Sequence, residues 1–324
     1  VYVREEEGLG LRPNIGIRGA TAERSSNITL MEDGILIAPA PYSNPAAYYF
    51  PTFKRMSSLE VLKGAPLLRY GPQTTGGVIN LISTPIPDEQ KGYVEAVTNE
   101  RGSTDVHATY GDTNGDWGYL VETVQRSAQG FKDIDRSNRN SGFDISDYVG
   151  KLRWQGERQS VTAKLQYSEE TSNSTYVGLT DADFNQDPNR RYGLSSLDQM
   201  DNTHSGVSLT HQFEWSDNVS STTTLYRNDF KRNWYKLSGA GNIIGQANAG
   251  DANAQGILDG TIDASGLEYK NNARDYLSQG VQTNFDVNIG NHEFDFGARI
   301  HEDEMDRFQP GDVYDQANGS LVFQ

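Results

Sequence analysis

From residue 91 onward, apolar and polar residues alternate along the chain in long, regular tracts. In 160–169, Val161, Ala163, Leu165 and Tyr167 fall on one side, and Thr162, Lys164, Gln166 and Ser168 on the other. In 204–215 the apolar set is Val207, Leu209, Phe213 and Trp215. In 277–289 it is Leu277, Val281, Phe285, Val287 and Ile289, with Thr283 on the same side; Phe294, Phe296, Ala298 and Ile300 repeat the arrangement. Period-two alternation of this length predicts strands with one dry face and one wet face. About nine such strands are expected, of about 8–16 residues each, where ~9–11 cross a bilayer at a tilt and soluble strands average ~5–6.

The connections carry a second pattern. Short turns at 112–116, 155–158, 216–218 and 289–291 alternate with long polar loops at 128–143, 172–203 and 238–273, and another opens near Gln309. A membrane meander has that parity, with tight turns on one side and long loops on the other; a Greek-key sandwich has no reason for it. Trp117, Tyr119, Trp154, Trp215, Tyr226, Trp234 and Tyr235 are read as lying toward strand ends, where an interfacial girdle belongs. An open arc of strands would leave an unpaired edge in hydrocarbon, so the expectation is a fragment of a larger closed barrel.

Residues 1–87 follow another rule. The short apolar pieces NIGIRG, ITLMEDGILI, SLEVLKG and GVINLIS are separated by Gly, Pro and polar turns. They predict short strands, with one helical turn near 53–59.

The 324 residues carry a formal net charge of −16, which disfavours a nucleic-acid backbone as partner and suits cations or metal-carrying ligands better. There is no cysteine, hence no disulfide framework and no thiolate metal site. No run approaches the ~18 apolar residues of a membrane helix, which says nothing against a barrel. The chain opens on Val1 without a basic-then-apolar leader, and is expected to be a processed or internal piece.

Taken in order, NIGIRG (14–19), LMEDGILI (30–37), APYSNP (40–45), LEVLKGAPLLRYGPQTTGGVINLIST (59–84) and the following PIP resemble the plug domain of TonB-dependent outer-membrane receptors. The wording is most similar to the ferric dicitrate and ferric siderophore branch, and 175–192 resembles a loop of that branch. The resemblance implies a fragment of an all-β transmembrane barrel of about 22 strands with an N-terminal α+β plug in its lumen. Residues 1–87 would be the C-terminal part of the plug. Residues 88–324 would be the first nine or so strands with their extracellular loops, in a bacterial outer membrane. It further implies active uptake of a ferric chelate, citrate-like or a siderophore, into the periplasm. TonB, with ExbB and ExbD, would supply the energy through an N-terminal segment not in this chain. Cobalamin, a carbohydrate or a heme-type ligand stays open, because ligand choice lives in loops. A passive porin or adhesion barrel has no use for the globule at 1–87.

Residue roles follow from the same resemblance. Tyr42, Ser43, Asn44, Tyr48 and Tyr49 lie in the apical loop 38–49, as ligand floor or as turn chemistry; the branch commonly has the longer Gln at the position of Asn44. Arg190 and Arg191 are either surface charges or guanidinium partners for a chelate's carboxylates. The acidic loops would repel a free anionic chelate. Arg18 and Lys63 stand where the family pairs plug arginines with barrel glutamates, and a lysine there lacks the bidentate fork. Gly19, Gly34, Gly64, Gly71, Gly76 and Gly77 are expected to allow positive φ and close packing. No cofactor, resident metal or enzyme chemistry is expected. GPQTTGG lacks the Lys-Ser/Thr of a phosphate loop, and no nucleophile-elbow motif occurs. Asp181, Asp183 and Asn185 begin like a calcium loop, but Gln186 and Tyr192 occupy its sixth and twelfth positions. HEDEMD at 301–306 lacks HExxH spacing and reads as a charged extracellular strand end.

Overall fold

The computed structural model describes residues 1–44, 48–64, 67, 70–71, 74–100 and 102–324. Pro45 and residues 65, 66, 68, 69, 72 and 73 of the plug-like motifs lie outside the described residues.

The non-alternating apolar runs build a small inner sheet. Strand β1 (Tyr2–Glu5) pairs with β2 (Pro13–Gly16). Strands β3 (Ile28–Glu32), β4 (Ile35–Leu36), β5 (Met56–Leu62) and β6 (Gly77–Ser83) form a sheet in the order β4-β3-β6-β5, with β3 and β6 parallel. Every residue of β3 is buried, as a central strand covered on both faces requires. One face is packed by Ile15, Ile17, Ile28, Leu30, Ile79 and Leu81; Met31, Leu36, Leu67 and Val78 form a second cluster. Asp33 and Gly34 close the β3–β4 hairpin with φ of 51° and 78°, the left-handed pair that a tight two-residue turn demands. Gly77 has φ 152° and sits so close to the Leu62 carbonyl that a Cβ would lie 3.0 Å from that oxygen. Short 3-10 turns lie at Glu23–Ser25 and Phe53–Arg55. The turn expected over 53–59 thus ends at Arg55, and β5 takes over because its register with β6 satisfies the backbone.

The alternating tracts form one antiparallel sheet. Its strands are β7 (Lys91–Thr98), β8 (Ser103–Asn114), β9 (Trp117–Ala128), β11 (Phe143–Gln155), β12 (Gln159–Ser172), β14 (Gln199–Ser216), β15 (Val219–Leu237), β16 (Ala264–Ile289), β17 (His292–Phe308), β18 (Gly311–Ala317) and β19 (Ser320–Phe323). The short β10 (Asp133–Ile134) and β13 (Arg190–Arg191) pair with each other in the long loops. The sheet has 11 strands rather than about nine. The difference arises at the far end, where the long β16 pairs with β17 over 273–289 and with β18 over 264–270. The N-terminal part of β16, ASGLEYKNN, shows little alternation, which is why its tract reads as loop to residue 273.

The two faces of the sheet differ as the alternation requires. Val121, Leu152, Leu165, Val207, Leu225 and Ile300 are exposed on the outer face. His107, Glu122, Asp147, Lys164 and His204 are buried on the inner face, against the plug. Short turns join β8–β9, β11–β12, β14–β15 and β16–β17, and Trp117, Trp154 and Trp215 stand beside them. Tyr226 and Trp234 depart from the girdle reading: both are buried, on the inner-facing parity of β15 shared with Phe230. The long connections carry the helices α1 (Asp181–Gln186), α2 (Ala240–Asn248) and α3 (Ala252–Asp259). They pack around the fully buried Tyr192, Leu194, Leu258 and Tyr269, so the loops own a core of their own. No helix of the described residues is long and apolar enough to cross a membrane.

Candidate ligand site

The inner sheet meets the wall through buried charge. At the end of β3, Glu32 takes both Arg55 and the wall's Lys164, and Arg55 Nε reaches Asp147 on β11 at 3.0 Å. Lys164 also pairs with Asp33 at 2.7 Å, and Lys151 donates to Ser83 Oγ and the Thr84 carbonyl, both at 2.6 Å. A second contact links Arg12, on the plug, to Glu7 and to Glu170 on β12. Burial alone would raise the Glu32 carboxyl, but Arg55 and Lys164 outweigh it and hold it well below the ordinary carboxylate range. These plug–wall contacts were not singled out by motif. A signal was present: Lys151 and Lys164 are directly opposed across β11 and β12 on the wet face. Like charges so placed repel unless an anion faces them, and here Asp33 and Glu32 do.

Arg18 and Lys63, the lock candidates, are exposed and carry no ion pair among the described residues. Of the six glycines named, Gly19, Gly34, Gly64, Gly71 and Gly77 have positive φ; Gly76 instead abuts the Asn27 carbonyl, 2.8 Å from where a Cβ would stand.

The apical loop rests against β14–β17. The backbone N–H groups of Tyr42 and Ser43 donate to Asp303, and Asn44 Nδ2 lies 3.4 Å from the Tyr276 hydroxyl. The Tyr48 hydroxyl accepts a hydrogen bond from Arg24 Nη1 at 2.6 Å, and its ring lies under the guanidinium of Arg232, 4.1 Å from the ring centroid. Tyr49 is buried, stacked on His204 at 4.1 Å and packed with Ala40, Phe230 and Tyr276, so it anchors the loop from beneath. Tyr42 is half exposed at 49%.

Register brings three arginines into one row. Arg232 on β15 opposes Arg274 on β16, and Arg274 opposes Arg307 on β17. All three share the strand parity of inward-facing Tyr226, Tyr276 and His301. Arg232 is 2% exposed, and none of its three guanidinium nitrogens has a hydrogen-bond partner among the described residues. A buried guanidinium without a counter-ion costs several kcal/mol, roughly, unless an anion meets it. Alternation alone could not find this row, because it needs the register of three strands.

The loop arginines serve otherwise. Arg190 is ringed by Asp135, Asp183 and Asp259 at 2.8, 3.1 and 2.8 Å, and hydrogen bonding to Asp135 first of all raises its already high pKa. Arg191 turns back on the carbonyl of Pro188 at 2.9 Å. Neither makes a hydrogen bond or ion pair to the apical loop among the described residues. Asp181 and Asp183 begin α1, capped by Thr180, and the Asp183 carboxylate is taken by Tyr192, Gln255 and Arg190. HEDEMD lies in the C-terminal part of β17, which ends at Phe308, with His301 and Asp303 inward and Glu302 and Glu304 exposed.

Residues 1–78 match the family model for the TonB-dependent Receptor Plug Domain. The probable TonB-dependent siderophore receptor PirA of Acinetobacter baumannii is 26% identical over 231 residues, 63% of this chain and 29% of its own length. Among solved structures, the unliganded ferric citrate transporter FecA superposes with a TM-score of 0.74 at 21% identity, over 99% of this chain and 45% of that one. The siderophore receptor PiuA from Acinetobacter baumannii gives 0.67 at 14% identity, over 95% and 42%. The chain spans less than half the length of these relatives. Residues 1–78 thus match the plug domain of TonB-dependent receptors, and the chain as a whole has the plug-and-barrel fold of the receptor structures it superposes on.

Proposed function

We propose that this chain is the ligand-binding half of an outer-membrane receptor that takes up an anionic ferric chelate, with energy from TonB, ExbB and ExbD. Residues 1–87 act as the plug and 88–324 as the wall. The observation that carries the ligand class is the row Arg232–Arg274–Arg307, whose most buried member stacks on Tyr48 but has no hydrogen-bond partner for its guanidinium nitrogens among the described residues. The chain's net charge of −16 does not oppose this reading, because the row faces the lumen side over the plug while exposed carboxylates such as Glu302 and Glu304 point away. Tyr42, Ser43, Asn44 and Tyr48 form the floor beneath the ligand. Arg18 and Lys63, exposed on the plug, would pair with carboxylates of wall strands other than those described here. The likeness to a ferric citrate transporter and to a siderophore receptor supports iron as the cargo.

Arg232→Ala in the intact receptor is expected to weaken ferric dicitrate binding by roughly 10-fold or more, as loss of a charged hydrogen-bond donor implies. Binding measured by calorimetry against a neutral ferric trihydroxamate supplies the contrast. Equal loss for both chelates, or tight binding of cobalamin or a sugar in their place, would overturn the anionic assignment.

A further inference from the structure

One contact between the apical loop and the wall has the chemistry of an occupied anion site. The N–H groups of Tyr42 and Ser43 converge on a single oxygen, Asp303 Oδ2, at 2.6 and 3.2 Å. Successive amides in a turn make a concave nest that selects carboxylates and similar anions. The other oxygen of Asp303 meets His301 Nε2 at 2.6 Å, and His301 Nδ1 meets the Tyr226 hydroxyl at 2.6 Å. The ring of Tyr42 lies 4.8 Å from that of His301 and helps seat the imidazole. Side chains of His301 and Asp303 are each 4% exposed. The wall therefore presents a positioned carboxylate to the plug.

Two further features mark this carboxylate as replaceable. It lies on the same face of β17 as Arg307, two residues from Met305 and four from the arginine. Its charge thus stands beside the row assigned above to an anionic ligand, where two anions would repel. Directly across the strand pair is Ser278, 1% exposed, with a hydroxyl that has no hydrogen-bond partner among the described residues. That hydroxyl can donate to Asp303 once the amides are taken by something else.

We propose that the Tyr42–Ser43 amide pair is a carboxylate subsite of the receptor, held by Asp303 in the absence of ligand and surrendered to a carboxylate of the incoming chelate. The exchange moves the apical loop's tether from the wall to the ligand, so binding itself unties the plug apex from β17. Asp303 is an internal competitor, and His301 with Tyr226 are its positioning residues. This rests on the anionic-chelate reading for the identity of the displacing group, but not for the tether.

The test uses the intact receptor and the isosteric Asp303→Asn variant, which keeps an oxygen acceptor for both amides and removes the charge. Without ligand, amide exchange at Tyr42 and Ser43 is expected to speed up, and citrate alone is expected to slow it again in the variant. Ferric dicitrate should bind about five-fold tighter to the variant, because a neutral acceptor competes less well than a charged one, while a neutral ferric trihydroxamate binds unchanged. Asp306→Asn, on the exposed face, should match wild type in every measurement. Exchange that is unchanged in Asp303→Asn, or that citrate fails to slow, overturns the subsite. So does ferric dicitrate binding that weakens or stays unchanged, or a gain shared by the neutral chelate. Failure of both chelates to bind refutes the function proposed above, and the exchange measurement still decides the subsite.

Discussion

Glu32 has more at stake than any other single carboxylate of the plug. It is 2% exposed and answers two cations, Arg55 from the plug and Lys164 from the wall. Removing one member of such a cluster leaves buried charge uncompensated, at a cost of about 3–5 kcal/mol. Glu32→Gln should therefore lower the unfolding midpoint of the plug, read by calorimetry. Lys54→Ala, which loses only the partly exposed pair with Glu95, should cost less than ~1 kcal/mol. The pH dependence has a definite sign. Glu32 is depressed in the folded protein, so its contribution is fully present above the ordinary value of 4.5 and fades as pH falls below it toward the folded value. A melting point that holds between pH 7 and 5 and drops below 4 agrees; one that rises on acidification does not. The residue scale is also where the sequence was least legible. Lys164 shows in the pattern as a wet-face residue, but its partner Glu32 lies 132 positions away and is met only once the plug is seated. Arg18 and Lys63 were conspicuous by motif; Arg12 and Arg55, the plug arginines that make buried ion pairs to the wall, sit in no motif of their own.

At the scale of elements, the long loops behave as folded units. Asp198, just before β14, is 1% exposed and accepts backbone N–H groups from Tyr176 at 2.7 Å and Leu237 at 3.4 Å, tying one loop to the start of the next. Burial pushes its carboxyl up to about 6, and these hydrogen bonds do not cancel that. A raised carboxyl binds its proton more tightly when folded, so the loop cluster gains stability as pH falls through about 6 toward 4. Hydrogen exchange over 173–198 and 238–263 should accordingly slow between pH 7 and 5 after correction for intrinsic rates. In Asp198→Asn that change should vanish; a wild-type profile that persists in the variant would refute the assignment. Strands with one wet and one dry face were plainly visible in the alternation, because a uniformly dry face leaves no freedom in parity. The start of β16 was not, since its ASGLEYKNN segment stands among loops and lacks a uniform dry face. The loop helices went unseen for a related reason: α2 carries two Gly and two Asn in nine residues, α3 is only eight residues long, and both fold onto Tyr192, Leu194 and Tyr269 rather than by their own propensity.

The whole molecule is a stopper held against a wall by buried charge, with an arginine row on the wall and the Tyr42–Ser43 amides bonded to Asp303 at the plug apex. The barrel class and the plug were readable because the glycine-punctuated motifs of 14–84 and the loop parity each restrict geometry severely. The arginine row on which the proposed ligand chemistry rests was not, because three arginines on separate strands become neighbours only through register. If the proposed uptake function holds, transport should depend on work done on the plug rather than on an open pore. The most direct measurement is uptake of radiolabelled ferric citrate by cells carrying the intact receptor, with and without TonB, beside the Arg232→Ala/Arg274→Ala double variant. The account predicts uptake that requires TonB and falls at least about ten-fold in the double variant. Uptake that proceeds without TonB, or that the two arginines do not affect, would contradict it.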